Sequence, residues 1–235
     1  ISRLALLLLM ASPLSFAAAD AVPLDSTQQR ALPCTACHGD QGRATSDGYY
    51  PRIAGKPAGY LYNQLLNFRD GRRDYPMMTY LVERQSDAYL RELARYFADR
   101  HVPYPPPQPS AAPAAMLARG AALVRDGDAA RQVPACAACH GERLTGVLPA
   151  TPGLLGLSHD YLLGQLGAWR IGNRHAQAPD CMSEIVQRLT PDDLYAVAGW
   201  LSSQPLPDDP LPAAKLPASM PMDCGSVPAA AETAR

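Results

Sequence analysis

Two pentapeptides, Cys34-Thr35-Ala36-Cys37-His38 and Cys136-Ala137-Ala138-Cys139-His140, constrain this chain more than any other feature. Each sets two thiols three positions apart and places a histidine directly after the second. A porphyrin with two vinyl groups takes up both thiols as thioethers, and the adjacent histidine then lies beneath the iron as its proximal ligand. A zinc site of four thiols or a thioredoxin-like redox pair would leave two histidines at the same offset unexplained. The redox pair would also require a strand and helix pattern that is missing here. The spacing therefore predicts two covalently bound c-type haems, one on Cys34, Cys37 and His38 and the other on Cys136, Cys139 and His140.

The chain also aligns with itself at offsets of 101 to 104 residues. Pro51, Gly55, Tyr60, Leu61, Gln64, Leu65, Phe68, Arg69, Gly71 and Arg73 are matched by Pro152, Gly156, Tyr161, Leu162, Gln165, Leu166, Trp169, Arg170, Gly172 and Arg174. Tyr60, Leu61, Gln64, Leu65 and Phe68 form one stripe of a helix that stops at Gly71, and Tyr161 to Trp169 is its copy. The four aromatics in these stripes read as core packing. Arg69 and Arg170 have two readings, haem propionates or solvent. Ser86 and Thr190 are N-caps that open helices over Asp87–Ala98 and Pro191–Ser202. Their buried faces are Leu90, Leu93, Ala94 and Phe97 in the first and Leu194, Val197, Ala198 and Leu201 in the second. The fold class is all-α.

A haem iron with one histidine has a second face to fill, and what fills it separates a carrier from a catalyst. Met78 lies eight residues before Ser86 and Met182 eight before Thr190, so the repeat nominates Met78 and Met182 as sixth ligands. Met77 is an adjacent rival whose counterpart is Cys181, and His175 and Cys181 are rivals in the second half. Thioether ligation at both irons predicts two low-spin haems of high potential.

Leu4 to Met10, followed by Ala17-Ala-Ala before Asp20, has the length and small-residue ending of an export signal, read as residues 1–19. Export to the periplasm makes a disulfide between the two remaining cysteines, Cys181 and Cys224, the simplest pairing. A Cys181 thiolate ligand or reactive sulfur is the alternative. The run from His101 to Pro113 is proline-rich and reads as a stiff connector. These features divide the chain into a domain at 20–100, a linker at 101–114, a domain at 115–203 and a proline-rich tail at 204–235. A formal net charge of −1 provides no basic field for nucleic acid.

Taken together, Cys34 to Gly42, Pro51 to Gly55, Tyr60-Leu-x-x-Gln64-Leu, Pro76-Met-Met78-Thr and their second-half copies resemble the cytochrome c4 family, dihaem electron carriers of the bacterial periplasm. The resemblance implies two tandem class I cytochrome c domains, each a small helical fold around one haem with His and Met ligands. It also implies partners that are redox proteins, such as a terminal oxidase, a quinol-oxidising complex or a periplasmic dehydrogenase. Peripheral membrane association is compatible with such a role. Electron transfer rather than catalysis is the expected activity. The alternatives are the cytochrome subunit of a periplasmic dehydrogenase and a thiosulfate-oxidising enzyme that uses Cys181. Three departures from the family are expected: no Gly-containing helix before Cys34 like the one Met116 to Arg125 supplies later, the extra cysteine pair, and the long tail.

Overall fold

A computed structural model describes residues 25–227; the expected export signal at 1–19 lies outside them. The helices of the described chain are joined by turns and irregular segments, with one short antiparallel ladder pairing Gly146–Val147 with Thr151–Pro152. In the first half, α1 (Thr27–His38), α2 (Ala58–Arg69), α3 (Pro76–Val82) and α4 (Asp87–Ala98) follow in order, with α2 and α1 both packed on α4. In the second, α5 (Ala114–Arg125), α6 (Cys136–His140), α7 (His159–Arg170), α8 (Cys181–Gln187) and α9 (Pro191–Ser203) do the same, with α5 and α7 both packed on α9. The all-α reading is thereby realised as two copies of one helical arrangement.

Local sequence explains where these helices begin and stop. Ser86 Oγ accepts the Tyr89 N–H at the start of α4, and Ser158 Oγ accepts that of Tyr161 at the start of α7. Thr190 and Asp193 form a reciprocal capping box at the start of α9, with Pro191 in the first turn. The chain leaves α2 and α7 through Gly71 (φ 74°) and Gly172 (φ 80°), a backbone state that costs glycine little. All eight apolar residues expected on the buried faces of α4 and α9 are buried.

The first half reaches its haem motif differently. Its helix α1 has no glycine, starts at Thr27, is capped by Ser26, and runs straight through Cys34 and Cys37 to His38. The second half divides the same work between two helices. There α5 packs on α9, with Gly120 lying against the Ala196 carbonyl, and the separate, short α6 carries Cys136, Cys139 and His140. Pro33 inside α1 obscures this helix in the sequence.

The proline-rich connector is laid along the protein. Arg52 donates to the Val102 carbonyl at 2.5 Å and to the Pro103 carbonyl at 2.9 Å, and its guanidinium lies 3.7 Å from the Tyr104 ring centre. The Gln108 N–H donates to the Ser202 carbonyl. The tail also returns to the second half. Ala213 exchanges backbone hydrogen bonds with Gly146 and Leu148, and Cys224 is disulfide-bonded to Cys181.

The two halves meet around a local two-fold arrangement. Arg73 and Arg174 face each other in an antiparallel bridge, flanked by hydrogen bonds from the Asp74 N–H to the Asn173 carbonyl and from the His175 N–H to the Arg72 carbonyl. Arg73 donates to Gln64 Oε1 at 2.9 Å and Gln165 Oε1 at 2.6 Å, while Arg174 donates to the same two oxygens at 3.1 and 2.7 Å. Each arginine thus holds both glutamines and ties α2 to α7. Repeat-related aromatics cover the guanidiniums, with Phe68 4.4 Å from Arg73 and Trp169 3.7 Å from Arg174.

Candidate haem centres

Both Cys-x-x-Cys-His motifs open onto one continuous cavity of about 760 Å³ that runs between the halves. In the first half it is lined by Cys34, Cys37, His38 and Met78, and in the second by Cys136, Cys139, His140 and Met182. The remaining walls are mostly apolar, with Leu65, Leu93 and Phe97 on one side and Leu166, Val197 and Leu201 on the other. Helices α1 and α6 present the thiols and the histidine, while α3 and α8 bring the methionines to the same space.

The two motif histidines share one hydrogen-bond geometry. His38 Nδ1 lies 2.8 Å from the Pro51 carbonyl, and His140 Nδ1 lies 2.8 Å from the Pro152 carbonyl. A carbonyl only accepts, so Nδ1 carries the proton in both rings and the Nε2 lone pair is left for a metal. Burial lowers both histidine pKa values against the opposing effect of the carbonyl bond, which favours the neutral imidazole. Pro51 and Pro152, matched in the repeat, thus orient the two rings. Burial also pushes the Cys34 thiol up to about 11 and Cys136 up to about 12. Before a haem takes them up, neither thiol is activated as the thiolate of a redox-active pair would be. Among the described residues no cluster of three or more His, Cys, Asp and Glu side chains is arranged to hold a metal ion, so the four-thiol zinc alternative finds no geometry.

The rival ligands separate in the same way. His175 is exposed and does not line the cavity. Cys181 is committed to its disulfide and offers no thiolate. Met77 sits at the mouth of the cavity, 58 % exposed. Arg69 and Arg170 do not line the cavity; Arg69 pairs with Asp70 and Asp87, and Arg170 donates to the Leu189 carbonyl.

Four residues to which the sequence reading gave no role at the site supply the charge. Arg52, Lys56, Arg73 and Arg174 all line the cavity, and three of them are at most 5 % exposed. Among the described residues none of the four has a carboxylate within 4.0 Å. Lys56 donates to the Gly153 carbonyl across the interface, and burial followed by the charge of Arg52 lowers its pKa to about 7. Burial and the neighbouring Arg73 lower Arg174 to about 10. Buried cations without counter-ions are costly, and their concentration in one apolar cavity calls for an anionic occupant. A haem fits on every count: two vinyl groups for the thiols, iron for Nε2, an apolar face for the walls and two propionates for the cations. The available signal was Arg73 with Arg174 and Gln64 with Gln165, polar pairs kept at a constant offset. Arg52 and Lys56 gave none, because their second-half counterparts are Gly153 and Leu157.

Comparison with known proteins agrees with this geometry. The Cytochrome c family model matches residues 117–205. The cytochrome c4 of Pseudomonas aeruginosa is 32 % identical to this chain over 83 % of its length and 94 % of the relative's. The chain belongs to the cytochrome c4 family. The crystal structure of reduced recombinant cytochrome c4 from Pseudomonas stutzeri superposes with a TM-score of 0.66 at 27 % identity, covering 78 % of this chain and 99 % of that one. A protein of Thiomonas intermedia named thiosulfate dehydrogenase electron acceptor is 36 % identical over 85 % of this chain and 87 % of its own. As a member of this family the chain is a dihaem c-type cytochrome of electron transfer, carrying two covalent haems in tandem cytochrome c folds.

Proposed function

We propose that this protein accepts electrons from a periplasmic dehydrogenase that oxidises thiosulfate and passes them to a further respiratory partner through two haems ligated by His38 with Met78 and by His140 with Met182. The observation that carries the ligand reading is the pairing, in each half, of a carbonyl-anchored histidine with a methionine from a short helix on the same cavity. When bound, each haem takes up and releases one electron at its iron. The chain's own part is to fix the ligands, exclude water and set the potential. Neutral thioethers favour the ferrous state, as do buried cations, so both act in the same direction.

Resemblance to two relatives named thiosulfate dehydrogenase electron acceptor supports the identity of the donor. The residues of the chain support acceptance rather than oxidation of the sulfur compound, since the Cys181 sulfur that a thiosulfate chemistry would require is bound to Cys224. Residues 1–19 would direct export, 20–100 and 115–203 would each house one haem, and 204–235 would form the tail.

Replacing Met78 or Met182 by alanine tests the ligands. Each variant is expected to lose half of the far-red sulfur-to-iron absorption and to bind carbon monoxide at one of its two ferrous haems. An unchanged spectrum in either variant would exclude that methionine. Stopped-flow reduction by a thiosulfate dehydrogenase with thiosulfate tests the donor. Reduction no faster than that of an unrelated cytochrome c would reject it.

A further inference from the structure

The two haem pockets are not equally closed, and the difference lies in the tail. In the first half α3 leaves Met77, Tyr80 and Leu81 exposed by 58, 75 and 37 %. In the second half Cys181 and Ile185 occupy the positions of Met77 and Leu81, and both are partly buried. Cys181 is bonded to Cys224, and Met220, Met222, Cys224 and Val227 line the cavity beside Met182.

This segment is held at several points. The Gly225 N–H donates to the Pro179 carbonyl at 3.0 Å, and a Cβ on Gly225 would lie 2.1 Å from the Ala178 oxygen, so backbone rests directly on backbone there. Asn63 of α2 donates to the Ser226 carbonyl at 2.8 Å, which anchors the tail to the first half as well. Helix α8 is only seven residues long, and Cys181 is its first residue. So short a helix is not held by its own propensity. The disulfide fastens the tail to the first turn of α8, one residue from Met182.

We propose that residues 213–227 act as a redox-sensitive strap. With the Cys181–Cys224 bond formed, the strap closes the methionine edge of the second haem pocket. Two-electron reduction of that bond by an external dithiol releases it and opens this pocket alone to small ligands. In the reduction the S–S bond breaks, Cys181 and Cys224 each take up one electron and one proton, and the dithiol becomes a disulfide. Among the described residues no corresponding segment lies over α3, and the first pocket is indifferent to the reaction. The inference rests on Met182 being the sixth ligand.

The test uses the full dihaem protein reduced by ascorbate, which leaves the disulfide intact, with carbon monoxide as the probe. Under ascorbate alone, binding at the second haem is expected to be slower than at the first, where α3 is exposed. Adding a dithiol should accelerate binding at least tenfold at one haem of the two, in step with the appearance of two titratable thiols. Cys224→Ser should show the same fast phase without dithiol. The double variant Cys181→Ser, Cys224→Ser should keep that phase, because the freed Cys181 thiol is then absent as a competing ligand. The covalent haem content and helical circular dichroism of both variants report whether they have folded. Unchanged carbon monoxide kinetics after both thiols appear, or equal acceleration at both haems, would overturn the strap. Rapid binding at the second haem under ascorbate alone would overturn the ligation by Met182, and with it the basis for the strap.

Discussion

Gly120→Ala sets two well-understood effects against each other, and the structure decides the sign. In an unconstrained helix the change is favourable by about 1 kcal/mol, because alanine loses less backbone entropy than glycine. Gly120, however, faces α9, and an added Cβ would lie 2.1 Å from the Ala196 oxygen, 2.7 Å from its carbon and 2.9 Å from Trp200 Cβ. Two of these three atoms are backbone and cannot rotate away, so α5 and α9 must part by about 1 Å, a gap that forfeits a quarter to a half of each contact's dispersion energy. The contacts affected belong to the most extensive helix pair among the described residues, which includes Leu123, Val124, Val197, Ala198 and Leu201 in one core cluster. Overpacking costs about 1–3 kcal/mol, and an approach of 2.1 Å to backbone belongs at the upper end, which leaves a net loss of about 1–2 kcal/mol.

Gly167→Ala is the internal control. Gly167 lies within α7 with nothing within 4 Å of the position of its Cβ, so there the helix propensity acts alone and a gain of about 0.5–1 kcal/mol is expected. Urea unfolding of the dihaem protein, with the denaturant slope checked for constancy, measures both. Because Val197 and Leu201 also line the haem cavity, the Gly120 variant should broaden the sulfur-to-iron band of the second haem and leave the first intact. Equal or greater stability in Gly120→Ala would refute the close-approach argument, since propensity would then have won at both sites.

Asp193, which bridges Arg119 and Arg131 and caps α9, is the main pH-dependent element of the second half. Burial pushes its carboxyl up, but hydrogen bonds from Arg131, Thr190 and Arg119 outweigh that and hold it well below the usual carboxylate range. A depressed carboxylate contributes stability above its unfolded pKa of about 4 and loses it as pH falls toward the folded value. Asp193→Asn should therefore cost about 2 kcal/mol at pH 7, and the gap from the parent should shrink in urea titrations at pH 3. Arg174→Gln removes one buried cation from the haem cavity, and the midpoint potentials should fall by tens of millivolts, on the order of a unit charge at about 10 Å in a medium of effective dielectric near 20. Spectroelectrochemical titration reads this directly, and unchanged midpoints at both haems would remove the arginine from the electrostatics of the site.

The features legible in the sequence are those written locally. The haem motifs, the Ser86 and Thr190 caps, the buried faces of α4 and α9 and the glycine stops all depend on residues within one or two helical turns. The Cys181–Cys224 bond was readable from an even remainder of thiols in a chain expected to be exported. Helix α1 was not read, because Pro33 and the haem motif within it suggest a loop. The short helices α3 and α8 were read only as the location of two methionines, since seven residues carry too little periodicity to declare a helix.

The interface between the halves was the largest omission, and its cause is physical. An amphipathic stripe shows which face of a helix is buried but does not show what buries it, whether a haem, a helix of the same half or the other half. Tyr60 and Tyr161 lie in such stripes, yet Tyr161 also meets Arg73 of the opposite half at 3.1 Å. The polar matches resolve this where the apolar ones do not. Packing preserves volume and tolerates the exchange of Phe68 for Trp169, whereas a bond shared between two guanidiniums and two amides requires each of the four groups. Gln64, Gln165, Arg73 and Arg174 are unchanged between halves that otherwise differ widely, because each copy must satisfy the other across the local two-fold arrangement. In a chain built from a tandem repeat, buried polar identities at constant offset therefore mark the surface where the repeats face each other, and here that surface is also the wall that brings positive charge to both haems.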